Sequence, residues 1–189
     1  ADRTGNSAVI EVLDGEFSVH QGPEVTVMTN SPPYAQQLEL MRQYTGLGGD
    51  KPLPGGSQAD ERFARGAYYL TGLPDEPSDY HEAVANVLSV IRNMSTPWGV
   101  SDPTRPNVSP TRWRTISDMT NGRYKFEFTQ NPTVAWIDLN RLNFAEVEPV
   151  TVFDLNKDIR ATGEVSDRFN PSRELSWLRG GEVLNTAEL

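Results

Sequence analysis

The hydrophobic period of this chain changes twice, and that change restricts its fold more than any single residue does. Residues 7–29 alternate apolar and polar positions, as strands half-buried in a sheet do. From Pro33 to Met94 the apolar residues recur at helical spacing instead, leaving each helix one buried face. Past Pro110 the alternation returns. Strands, then helices, then strands predict an α+β fold with helices packed on the faces of antiparallel sheets. A parallel sheet would need the two patterns interleaved.

Local signals place the boundaries. Asp2-Arg3-Thr4-Gly5-Asn6 reads as a turn, with Gly5 free to take positive φ. Ser7 to Leu13 is a strand, Asp14-Gly15 a two-residue hairpin, and Glu16 to His20 the return. Gly22-Pro23 breaks the chain before a third expected strand, Glu24 to Thr29. A turn at residues 2–6 ordinarily joins two strands, which predicts that an upstream strand has been cut away; a frayed terminus ahead of an edge strand is the alternative. A first helix is expected from Pro33 to Tyr44, with Pro33 in its first turn and Tyr34, Gln37, Leu38 and Met41 near helical spacing. The glycine-rich stretch Gly46–Gly56 is a loop. Ser57 is the expected cap of a second helix, with Asp60 at the capping-box position and Phe63, Ala67, Leu70 and Leu73 as its buried stripe. A third helix runs from about Asp79 to Met94, with Tyr80, Ala83, Val84, Val87, Leu88, Ile91 and Met94 as its apolar face. Beyond the loop Thr96–Pro110, strands are expected at Arg112–Ser117, Tyr124–Phe128, Val134–Asp138 and Val150–Phe153, the first two joined by a type I′ turn at Asn121-Gly122. Residues 1–170 read as one domain and 171–189 as a tail, helical or unpacked around Arg173 to Arg179.

A length of 189 residues supports one domain with a sizeable core. Seventeen basic residues against 26 acidic ones give −9 with no cluster of Lys or Arg. That balance disfavours nucleic acid and anionic membranes, both of which call for concentrated positive charge. No apolar run approaches the roughly 20 residues of a membrane span. Zero cysteines exclude a disulfide, a thiolate zinc site and a cysteine nucleophile within the chain. Ala1-Asp2-Arg3-Thr4 carries no apolar run, so no signal peptide is visible.

Two residues have the chemistry of an amide-hydrolysing site. Asn30 lies just past an expected strand and before Ser31-Pro32-Pro33, where its side-chain amide could donate to a developing oxyanion. Asn-Ser-Pro is also ordinary turn chemistry, and local sequence favours that reading. Arg62, on the second helix, could point inward and act on a nucleophile or carboxylate, or stay in solvent beside Asp60 and Glu61. His20 and His81 sit in unrelated settings, which supports neither a metal site nor a histidine-based triad. Ser31 lacks the glycine-flanked elbow of a serine hydrolase, and the Gly46–Gly56 loop lacks the Lys-Ser/Thr ending of a phosphate loop.

Longer stretches carry a resemblance. Asp2-Arg3-Thr4-Gly5-Asn6 leads into Val9-Ile10-Glu11, followed by Val27-Met28-Thr29-Asn30-Ser31-Pro32 and the helix with Gln37-Leu38. Leu53-Pro54-Gly55-Gly56-Ser57 leads into Arg62-Phe63-Ala64-Arg65-Gly66-Ala67, with Thr111-Arg112-Trp113 and Ser117-Asp118 beyond. In this order, over roughly residues 1–165, the chain resembles the choloylglycine hydrolase family: penicillin V acylases, conjugated bile salt hydrolases and acyl-homoserine-lactone acylases. Its short Pro-Gly-Gly loop is most similar to the Gram-negative penicillin-acylase-like branch.

The resemblance implies a partial αββα N-terminal-nucleophile hydrolase sandwich acting on N-acylated small molecules, with no cofactor and no metal. It implies Asn30 as an oxyanion-hole donor and Arg62 as an arginine near the nucleophile, in a periplasmic or secreted protein of homotetrameric habit. The family's nucleophile is a mature N-terminal cysteine, and Ala1 cannot replace it. The cysteine, its supporting arginine and aspartate, and the second oxyanion donor would then lie upstream of residue 1. The chain is therefore expected to be a C-terminal portion, inactive alone and completed by the missing N-terminal segment. The rival expectation is a complete, non-catalytic α+β module that binds acylated ligands or a protein partner.

Overall fold

The computed structural model describes residues 1–99, 103–104, 109–145, 150–155 and 157–171. Strands β1 (Ala8–Leu13) and β2 (Glu16–Gln21) form the first hairpin, with Leu13 opposite Glu16. Asp14 and Gly15 both take left-handed backbone, φ 53° and 86°, as a type I′ turn requires. One face of the hairpin turns Val9 into the core, and the other leaves Ile10, Val12, Phe17 and Val19 exposed.

The expected third strand keeps its alternation without its ladder. Val25, Val27 and Thr29 are buried while Thr26 and Met28 are exposed, yet residues 24–29 pair with no strand among the described residues. Alternation there records burial on one side of an extended segment, and pairing needs a partner besides.

Three helices follow: α1 (Tyr34–Met41), α2 (Ala59–Leu70) and α3 (Tyr80–Asn93). Pro33 caps α1 instead of entering its first turn, and the Glu11 carboxylate accepts from the Tyr34 N–H at 3.0 Å. The helix stops short of Tyr44 because Arg42, Gln43 and Tyr44 bond three residues back, not four. The cap of α2 is Gln58, one residue later than expected: its N–H donates to Glu61 Oε2 at 3.0 Å, so Glu61 and not Asp60 closes the box. Helix α3 begins close to the expected position, and Asp79 caps it, accepting from the Glu82 N–H at 2.9 Å. Of the expected stripe Leu88 is buried, Tyr80, Ala83, Val84, Ile91 and Met94 are half-buried and Val87 is exposed, while Val90, outside it, is also buried.

Val9, Val25, Val27, Tyr34 and Phe63 form the first core, joined by Leu38, Met41, Ala67, Leu70 and Met94. Phe63 meets the Tyr34 ring edge-on at 5.9 Å. The second sheet has the order β3 (Trp113–Asp118), β4 (Arg123–Phe128), β5 (Val134–Asp138), then β7 (Gly163–Glu164). It is antiparallel except for the two-residue parallel pairing of β7 with β5. The expected strand at Val150–Phe153 shrinks to β6 (Thr151–Val152), which pairs with β8 (Asn170–Pro171) outside that sheet.

The turn between β3 and β4 is not type I′. Asp118 lies opposite Arg123, which makes a four-residue loop in which Gly122 alone is left-handed, φ 66°. The Asp118 carboxylate accepts from both the backbone and side-chain N–H of Asn121, a local closure that competes with the two-residue turn. Strand β4 turns Lys125 and Glu127 under α3 and leaves its aromatic residues to the opposite face. There Ala135, Ala161 and Val165, with Ile137 and Phe153, form a second apolar core. The observed class is α+β. The expected tail, apart from Pro171, lies outside the described residues.

Candidate active site

Asn30 stands where the extended segment 24–29 ends, just before the cis Ser31–Pro32 peptide. Its side chain is exposed, and its Oδ1 accepts from Arg62 Nη2 at 2.6 Å. Arg62 reaches there from α2, which also anchors it: Nε donates to the Ser57 carbonyl at 3.2 Å. The guanidinium is half-buried. That burial, and next the charge of Arg65, hold its pKa below the ordinary arginine value, and it stays charged at any physiological pH. The sequence offered a solvent-paired alternative for Arg62; its described hydrogen bonds go instead to Ser57 and Asn30.

This bond settles the orientation of the Asn30 amide. A guanidinium only donates, so the oxygen must face it and the NH₂ must point away. Among the described residues Nδ2 makes no hydrogen bond. The result is an exposed amide donor, its partner oxygen already tied to a cation, at the end of a segment buried on one side. Such a group can donate to an oxygen that gains negative charge.

Below Asn30 the chain is held by residues that carried no obvious signal of chemistry. Gln37, 1% exposed, donates through Nε2 to the carbonyls of Thr29 and Pro32. The Thr29 hydroxyl lies 2.8 Å from the Ala59 carbonyl, at the start of α2. Arg65, also buried, donates to the carbonyls of Asn93, Pro54 and Gly56, which ties the loop before α2 to the end of α3. A polar residue inside an apolar helical stripe was the legible sign for Gln37. Arg65 had no comparable sign.

The other candidates are not brought together. His20 packs on the Tyr34 ring at 4.8 Å, while His81 lies in the exposed first turn of α3 against Tyr80. Among the described residues no three His, Cys, Asp or Glu side chains gather as metal ligands. An apolar cavity of about 120 Å³ opens in the second core, lined by Phe126, Ile137, Phe153, Val165 and Phe169 among others. None of its lining comes from the segment that carries Asn30 and Arg62.

Comparison with known proteins gives the family and the fold. Residues 1–152 match the model of the linear amide C–N hydrolases, choloylglycine hydrolase family. Penicillin V acylase of Pectobacterium atrosepticum is 35% identical over 191 residues, covering 94% of this chain and 51% of that protein. The solved penicillin V acylase from Agrobacterium tumefaciens superposes with TM-score 0.81 at 37% identity, over 93% of this chain and 56% of its own. A mutant conjugated bile acid hydrolase from Clostridium perfringens shares the fold, with TM-score 0.65 at 22% identity over 77% of this chain and 50% of its own. The chain thus spans about half the length of the curated relatives it matches.

Proposed function

The chain belongs to the choloylglycine hydrolase family of linear amide C–N hydrolases, and on that premise we propose that it supplies Asn30 and Arg62 to the active site of an amidohydrolase. Its substrates are N-acylated small molecules, with penicillin V first, then conjugated bile salts and acyl-homoserine lactones. The observation that carries this reading is the 2.6 Å bond from Arg62 to Asn30 Oδ1, which leaves the Asn30 NH₂ as an outward donor.

The nucleophile is an N-terminal cysteine on polypeptide outside these 189 residues, none of which is cysteine. Its α-amino group takes the thiol proton, and the sulfur attacks the amide carbonyl carbon. The carbonyl π pair moves onto oxygen, and Asn30 Nδ2 donates to that oxyanion. Collapse breaks the C–N bond, and the amine leaves with the proton held by the α-amino group. Water then cleaves the thioester, releasing the carboxylic acid and restoring the thiol. Arg62 keeps the Asn30 oxygen turned away from the reacting carbon throughout.

The test is penicillin V hydrolysis by the 189-residue chain, alone and after addition of a family N-terminal segment that begins with cysteine. Turnover is expected only in the completed assembly, and Asn30→Ala there should lower kcat by about 10²–10³-fold. Hydrolysis by the isolated chain would refute the split nucleophile, and an unchanged kcat would remove Asn30 from the reaction. Penicillin V bound without turnover by the completed assembly would favour the non-catalytic binding module.

A further inference from the structure

We infer that Gln37 is a positioning residue for Asn30: its buried amide fixes the point from which the Asn30 side chain projects. The inference rests on the active-site reading above for its effect on turnover, and on geometry alone for its effect on Asn30.

Three contacts carry it. Gln37 Nε2 donates to the Thr29 carbonyl at 3.1 Å and to the Pro32 carbonyl, so its two N–H groups grip the backbone on either side of Asn30-Ser31. Gln37 Oε1 lies 2.5 Å from the Thr29 hydroxyl, whose single proton also faces the Ala59 carbonyl at 2.8 Å. Ala59 opens α2, the helix on which Arg62 sits one turn further on. One amide therefore holds both ends of the Asn30 turn and, through Thr29, registers that turn against the helix carrying its hydrogen-bond partner.

The arrangement has one chemical solution. Both donors of Gln37 meet carbonyls, and its oxygen meets a hydroxyl. A glutamate of equal size would set a carboxylate against two carbonyl oxygens, and a methionine would fill the space with no donor at all. Neither change need release α1 as a whole, because the Tyr34 N–H remains on the Glu11 carboxylate and the Tyr34 ring on Phe63. The loss falls on the turn. A displacement of about 1 Å at a catalytic group can lower a rate about 10²-fold, which makes a buried glutamine that touches no substrate consequential for turnover.

The experiment compares wild type with Gln37→Met in two ways. In the ¹⁵N-labelled chain without substrate, the side-chain NH₂ signals of Asn30 and the Nε–H signal of Arg62 should shift or broaden in Q37M. In the completed enzyme, Q37M should lower kcat about 10–10²-fold, leave KM within about twofold, and cause no further loss when added to Asn30→Ala. Unchanged Asn30 and Arg62 signals would overturn the positioning role, as would a Q37M loss of equal size in the Asn30→Ala background. Shifted signals combined with an Asn30→Ala enzyme of full activity would uphold the positioning and overturn the oxyanion role. Should Q37M fail to fold, Thr29→Val removes a single hydroxyl with no loss of volume, and the same signals and rates decide the question in the same way.

Discussion

Arg62 and Asn30 stand 32 residues apart in sequence and are joined by a 2.6 Å hydrogen bond from guanidinium to amide oxygen. The same guanidinium holds the Ser57 carbonyl through Nε, so it acts as a bracket between the start of α2 and the Asn30 turn. A lysine has donors but no rigid fork, and cannot keep both contacts in this geometry.

The first prediction concerns that bracket. A hydrogen bond to a charged group contributes about 1.5–3 kcal/mol, so Arg62→Met should lower kcat of the completed enzyme about 10–10²-fold. Arg62→Lys should recover only part of the loss. Added guanidinium ion should restore some activity to Arg62→Met and none to Asn30→Ala. An Arg62→Met enzyme with wild-type turnover would show that the bracket is idle.

How much of this is legible in the sequence depends on where each decision is made. The Asp14-Gly15 hairpin and the start of α3 at Asp79 are decided within a few residues, and both are readable. Residues 24–29 show the limit: alternation reports which side is buried, but a ladder depends on an edge elsewhere in the fold. The Asn121-Gly122 turn departs from expectation because the Asp118 carboxylate, three residues before Asn121, captures it. At α2, Gln58 and Glu61 displace an equally plausible Ser57 and Asp60, a choice that only geometry makes. Asn30 and Arg62 each have an ordinary local reading. Their juxtaposition arises from packing across 32 residues, and its only trace in the sequence is the ordered run of family-like stretches.

Arg65 supports the second prediction. It is 8% exposed, and its described hydrogen bonds all go to carbonyls: Asn93 at the end of α3, and Pro54 and Gly56 in the loop before α2. A cation at a helix C-terminus is favourable, and the three carbonyls have no other described donor outside helices. Arg65→Met should lower stability by about 2–4 kcal/mol, because it removes three hydrogen bonds from a buried cation to part-buried carbonyls. Urea unfolding at constant m-value measures this, and a loss below about 1 kcal/mol would mean that water replaces the guanidinium.

Glu127 supports the third. Its side chain is 7% exposed and accepts from Arg114 at 3.1 Å and from Arg92 at 2.6 Å. Arg114 is 11% exposed and Arg92 is 49% exposed, so only one partner depends on Glu127 for its burial. Glu127→Ala strands a buried cation and should cost about 3–5 kcal/mol. Arg92→Ala removes a solvent-screened partner while Arg114 still pairs the carboxylate, and should cost about 1 kcal/mol or less. Chemical denaturation of both variants gives the comparison, and equal losses would contradict the asymmetry.

The last prediction is a pH dependence at the start of α3. The Asp79 carboxylate accepts from the Glu82 N–H, while the Glu82 carboxylate accepts from the Ser78 N–H and hydroxyl. These hydrogen bonds pull both carboxyl groups below their ordinary range: the Glu82 N–H acts first on Asp79, and the Ser78 hydroxyl first on Glu82. A carboxylate depressed in the folded state binds its proton more readily once unfolded. Its contribution is therefore complete above the unfolded value, near pH 4, and is lost as pH falls through the lower folded value. Asp79→Ala should accordingly lower the urea midpoint at about pH 7 and lower it much less at about pH 2.5. Asp79→Asn keeps a capping oxygen without the titration, so its midpoint should fall less steeply than wild type over that interval. If the gap between wild type and Asp79→Ala is as wide at the acidic end as at neutrality, the cap works without its charge.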